Sequence, residues 1–174
     1  MSKTKKSKIK KHTHKKPSYK DSSLPKVLDW SEIRDIVSES LDFFDDADYD
    51  RAKNLASDLV KICRKERALG LAAPQVGQNF RLFVTVRQGS DILKIYANPS
   101  YEPIVENTID SVEGCLSVKG MNFNVKRHPR IEVSYVDIYK KDIVVEVLDG
   151  QDAIVFQHEY DHLEGISLPQ KNNA

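Results

Sequence analysis

Two histidines four residues apart, with a glutamate beside the first, make up the stretch most committed to a chemistry: Gln157-His158-Glu159-Tyr160-Asp161-His162. On an α-helix that spacing puts both imidazoles on one face, with Cβ atoms roughly 5–6 Å apart, so they can grip one metal ion. Glu159 is turned by about 100° from His158. It flanks the ion without ligating it and can take a proton from water activated there. The bland alternative is an ordinary helix, since Ala153-Ile154-Val155-Phe156 leads in with an apolar flank. A single buried histidine is satisfied by hydrogen bonds more often than by metal. The i, i+4 pair around a glutamate, with a helix stop at Gly165, favours the metal. The motif leaves the third ligand and the reaction open.

The elements that must position this helix follow from the patterning. Ile33, Ile36, Val37 and Leu41 predict a short helix over about 30–42, which the acidic patch 42–50 interrupts. Leu55, Leu59, Ile62 and Cys63 fall on one stripe of a helix over about 49–66, whose last turn carries Lys and Arg. The run from Ala68 to Gly77 is small and apolar, too broken for a strand core, and suited to close approach of another backbone. Phe80–Val86 and Ile92–Ala97 alternate as an antiparallel pair across Gln88-Gly89-Ser90. Further strands are expected near 100–104, 121–125, 130–138 and 143–147, and the histidine helix begins after Asp149-Gly150. The order of elements predicts an α+β fold, a mostly antiparallel sheet packed around a C-terminal metal-binding helix, with an N-terminal helix before it.

With 174 residues the chain suits one domain, expected over 25–174. Its longest apolar run falls far short of the roughly 18 residues that span a bilayer, so a cytoplasmic protein without a membrane partner is expected. The net charge of +1 conceals a split: residues 1–20 hold nine of the 27 basic side chains and no acid, leaving 18 basic against 26 acidic, a balance of −8. Residues 1–24 read as a basic disordered tail that can also touch RNA such as the ribosome's. Two cysteines, Cys63 and Cys115, imply no disulfide framework. Cys63 reads as a small core residue.

Asp, Glu, His or Cys could each supply the third ligand. Cys115 stands out in Glu113-Gly114-Cys115-Leu116-Ser117, between strand-like flanks. It reads either as a thiolate ligand or as a buried structural cysteine. One Cys and two His would leave a coordination position open for water, as catalytic sites require.

Three motifs in order, Gly70-Leu71-Ala72-Ala73-Pro74-Gln75, then Glu113 to Ser117, then Gln157 to His162, resemble those of peptide deformylase, and the similarity covers roughly residues 48–166. The resemblance implies a metallohydrolase that removes the N-formyl group from the N-terminal formylmethionine of new polypeptides and releases formate. It implies Cys115, His158 and His162 as ligands of a divalent ion, Fe(II) by preference, with Zn, Ni or Co able to take its place. Glu159 would be the general base and then the general acid. The side-chain amide of Gln75 and the backbone N–H of Leu116 would stabilise the oxyanion. Leu69 and Gly70 on one side and Gly114 on the other would pair with an extended peptide. Leu69, Ile154 and Val155 are candidates for the methionine pocket, though core packing explains them equally well. Glu113, Asp161 and Arg127 would support the ligands.

Two departures from the family pattern stand out. Ala68 replaces the first glycine of the first motif, and the chain ends 12 residues after His162, as in shorter, viral-type members that lack the long C-terminal helix. That helix serves ribosome docking in the family, and the Lys-rich segment is a candidate substitute. A monomer is expected. The competing readings are an H-E-x-x-H metallopeptidase and a non-catalytic metal-binding protein associated with the ribosome.

Overall fold

The computed structural model describes residues 24–172 except 35, 37 and 44. The Lys-rich segment therefore lies outside the described residues. Asp29 starts the first helix, α1 (Trp30–Ile33), with a capping box in which its side chain accepts from Ser31 and Glu32 reaches back to its backbone. The helix expected over 30–42 ends at Ile33 because tertiary pairing takes the chain that follows. The Glu39 N–H donates to Asn79 O at 2.6 Å, and Leu41 exchanges two hydrogen bonds with the Asn98 side chain, 2.8 and 2.9 Å. A helix this short gains too little from its own hydrogen bonds to compete.

α2 (Asp46–Glu66) begins earlier than its apolar stripe suggests. The Asp45 carboxylate accepts from the N–H groups of Ala47 and Asp48. The acidic patch is thus the helix start, its carboxylates facing the positive end of the dipole. Arg67, at φ 54°, ends the helix.

Seven strands follow: β1 (Gly70–Ala72), β2 (Leu82–Val86), β3 (Leu93–Pro103), β4 (Ile109–Cys115), β5 (Val118–Arg127), β6 (Arg130–Val136) and β7 (Ile143–Asp149). One five-stranded antiparallel sheet has the order β1-β2-β3-β6-β7, and β4 with β5 forms a separate two-stranded sheet. The segment read as too broken for a strand supplies β1 and a 3₁₀ turn, Ala73–Val76. The strands expected at 92–97 and 100–104 are one strand, β3, with a register shift between Ala97 and Ser100, where Asn98 takes φ 46°. β4 was not foreseen as a strand of its own.

α3 (Gly150–Leu163) carries the histidine motif and is followed by a short helix, α4 (Leu168–Lys171). Alternation along β2 explains why the sheet is covered on both faces. Leu82 and Val84 pack with Leu55, Leu59 and Leu71 against α2. Phe83 points the other way, to Tyr96 and Phe156 of α3, with ring centroids 5.1 and 5.0 Å away. α3 is thereby pinned to the sheet by an aromatic cluster. No helix among the described residues is long and apolar enough to cross a membrane.

Candidate metal centre

α3 presents His158 and His162 on one face, their ring centroids 5.1 Å apart. Cys115 ends β4, at a register shift between Gly114 and its own pairing with Val118. Such a slip re-aims a side chain out of the ladder. The Sγ of Cys115 lies 3.3 Å from His162 Nε2. One ligand atom from each of Cys115, His158 and His162 falls within 4.8 Å of the others, close enough to share an ion.

Behind the donors stands a buried charge array. His158 Nδ1 is 2.9 Å from Glu113 Oε2. Arg127 donates from Nε and Nη2 to the two Glu113 oxygens, both at 2.8 Å, and from Nη1 to Asp161 Oδ2. Lys171 reaches Asp161 Oδ1 at 2.8 Å. Arg127 is fully buried, whereas the neighbouring Arg130 is exposed and faces Asp149. Burial would raise the Glu113 pKa, but the Arg127 and His158 hydrogen bonds outweigh it and hold it at about 2. Burial disfavours a charged His162 and keeps its pKa well below the ordinary value, so the ring is neutral, as a ligand must be. Burial also opposes charge on His158, yet hydrogen bonds to Cys115 and Glu113 raise its pKa to about 10 without an ion.

Glu159 is buried, and its Oε2 has no hydrogen-bond partner among the described residues. Desolvation lifts its pKa to about 7. Gly70 is what admits it: a Cβ there would sit 2.4 Å from Glu159 Oε1 and 2.7 Å from its Cγ. Gln75 is anchored through Oε1, which accepts from the Ala72 N–H at 2.9 Å. Its amide nitrogen is left facing Cys115 Sγ at 3.6 Å and Ser117 Oγ at 3.3 Å.

A cavity of about 650 Å³ opens over these groups, between edge strand β1 and β4. Leu69, Gly70, Gln75, Glu113, Gly114, Cys115, Leu116, Ile154, Val155, His158 and Glu159 all line it. Leu69 is 53% exposed and sits at the rim, whereas Val155 is buried. His162, Arg127 and Asp161 lie behind the lining, tied in by the contacts above. Ala68 also lines the cavity, and its N–H donates to Cys63 O at 2.9 Å. Met121, Asn122 and Gln151 are among the further wall residues, which the sequence reading missed. Only the pairing of β5 with β4 brings the first two there, beside the register shift in which Gly120 of β5 takes φ 76°.

A family profile described as polypeptide deformylase matches residues 33–173. The chain is 38% identical over 122 residues to the peptide deformylase of Fusobacterium nucleatum, covering 70% of this chain and 69% of that one. It is 34% identical over 155 residues to the peptide deformylase of Cytophaga hutchinsonii, covering 86% and 76%. The crystal structure of peptide deformylase from Thermotoga maritima superposes with a TM-score of 0.75 at 30% identity, over 86% of this chain and 97% of that one. By this profile match, by these identities and by the shared fold, the chain belongs to the polypeptide deformylase family.

Proposed function

We propose that this chain is a metal-dependent hydrolase that removes the formyl group from the N-terminal formylmethionine of newly made polypeptides and releases formate. The observation that carries the reading is the convergence of Cys115, His158 and His162 beside the buried, half-unpartnered carboxyl of Glu159.

The residues fit one divalent ion. Glu113 occupies His158 Nδ1 and leaves Nε2 as the donor, while His162 Nε2 already faces the thiol. One sulfur and two nitrogens suit Fe(II), Zn, Ni or Co and leave a position open. We assign Fe(II) as the native ion on the resemblance. When bound, such an ion polarises a carbonyl and makes water nucleophilic near neutral pH.

The chain supplies the rest. Glu159 takes a proton from the attacking water and delivers it to the departing amine, a task suited to a carboxyl poised at about 7. The Gln75 amide and the Leu116 N–H, from two residues that line the cavity, stabilise the oxyanion in this reading. The substrate backbone pairs with the free edge of β1 at Leu69 and Gly70 and with β4 at Gly114. Ile154 and Val155 receive the methionine side chain, with Leu69 at the rim. Glu113, Arg127 and Asp161 hold the His158 ring in place. All these groups come from one chain, so a monomer over 25–174 suffices.

Formate release from a formyl-Met peptide by anaerobically purified protein, paired with metal analysis, tests the reading. Cleavage of an unformylated peptide would point to a peptidase, and bound metal without turnover to a structural role. The Lys-rich residues 1–20, opposite in sign to the rest of the chain, are proposed to contact ribosomal RNA. Ribosome association that stays unchanged and salt-insensitive after their deletion would reject that part.

A further inference from the structure

α4 is only four residues long, yet it is capped at its start and two contacts hold it against β5 beside the candidate metal centre. Ser167 and Gln170 form a capping box that starts it. Leu168 is buried with Phe123 and Val125 in a cluster that also packs on Cys115. At its end the Asn124 N–H donates to Asn172 Oδ1 at 3.0 Å. This places the Lys171 ammonium 2.8 Å from Asp161 Oδ1, on the side opposite the oxygen that accepts from Arg127.

The charge count shows what that contact does. Glu113 and Asp161 carry two negative charges on side chains each 8% exposed, and Arg127, at 0%, supplies one positive charge. Lys171, at 29%, supplies the second. Without it, the hold on Asp161 falls to Arg127, which also serves Glu113. A buried charge that is not neutralised relaxes by moving. Arg127 bonds both carboxylates, so a shift of Asp161 passes through it to Glu113, whose oxygens Arg127 and His158 hold.

We propose that Lys171 is a positioning residue of the metal centre: by fixing Asp161 it locks the Arg127–Glu113 pair that orients the His158 imidazole. The proposal rests on reading Cys115, His158 and His162 as metal ligands. It extends the set of supporting residues from β4, β5 and α3 to α4. Lys171 touches neither substrate nor reacting atoms, so its effect is on how tightly and in what geometry an ion is held.

The test uses the full chain loaded anaerobically with Co(II), read by chelator competition for affinity and by the visible absorption bands that report ligand geometry. Lys171→Ala is expected to weaken Co(II) binding by about 10–100-fold, the usual effect of removing such a support, and to shift the bands. Lys171→Arg, which keeps the charge, restores both. Lys171→Gln, which keeps a donor and loses only the charge, is expected to behave like Lys171→Ala and answers the question if the alanine variant does not fold. Lys53→Ala removes a lysine of α2 that pairs with exposed Asp50, away from the site, and is expected to leave affinity and bands unchanged. Wild-type affinity and spectrum in both charge-removing variants would overturn the proposal, as would an equal loss in Lys53→Ala. A wild type that binds no Co(II) removes the metal reading itself and is thereby distinguishable.

Discussion

Glu159 and Gly70 are a matched pair, because the carboxyl occupies the space a side chain on residue 70 would need. Gly70→Ala is therefore expected to lower kcat by about 100-fold, the cost of roughly an ångström of misplacement, with metal content unchanged by elemental analysis. Glu159→Gln is expected to keep the metal and lose turnover by about three or more powers of ten, measured as formate release. The same substitution has an opposite effect on stability. The Glu159 pKa rises from 4.5 to about 7 on folding, so the native state binds the extra proton. Stability from this group is full below 4.5 and is lost as pH rises through about 7. Metal-free Glu159→Gln should then melt above metal-free wild type at pH 8 and level with it at pH 4, by calorimetry. Glu113 has the reverse sign: lowered to about 2, it stabilises above 4.5 and ceases to as pH falls through 2. The sequence marks Glu159 as the acid–base residue through its place between the histidines, whereas its burial and unpartnered oxygen depend on α2 and β1 closing over it.

At the scale of elements, the site is a junction of α3 with β4 and β5, and Arg127 is the bolt. Arg127→Met would leave Glu113 and Asp161 buried with half their partners, a loss of about 3–5 kcal/mol in denaturant unfolding. α2 is the simpler case. Asp45→Ala removes the oxygen that accepts from Ala47 and Asp48 and is expected to cost about 1 kcal/mol by the same measurement, without changing formate release. Local signals located α2, α3 and the β2–β3 pair, because each is a periodic pattern long enough to stand out. α1 stopped short and β3 ran on, since in both places the partner strand, not the local propensity, sets the end. β1 was illegible for a related reason: a leucine between two small residues becomes a strand only when β2 lies beside it.

For the whole molecule, charge is divided along the chain, nine lysines in the first 20 residues against a remainder of −8. Deleting residues 1–20 is expected to leave turnover of a short formyl peptide within about twofold while flattening any salt dependence of ribosome association. The sequence by itself determined the chemistry: which side chains could hold an ion, which carboxyl could move a proton, and the α+β order of the elements. Spacing within a helix and the order of three motifs carry that information locally. Only the tertiary structure decided that Cys115 turns toward His162, that Arg127 and not Arg130 is the buried cation, and that Asn122 and Lys171 reach the site. Those outcomes come from a slipped register, from burial and from contacts between residues far apart in the chain, none of which a local pattern encodes.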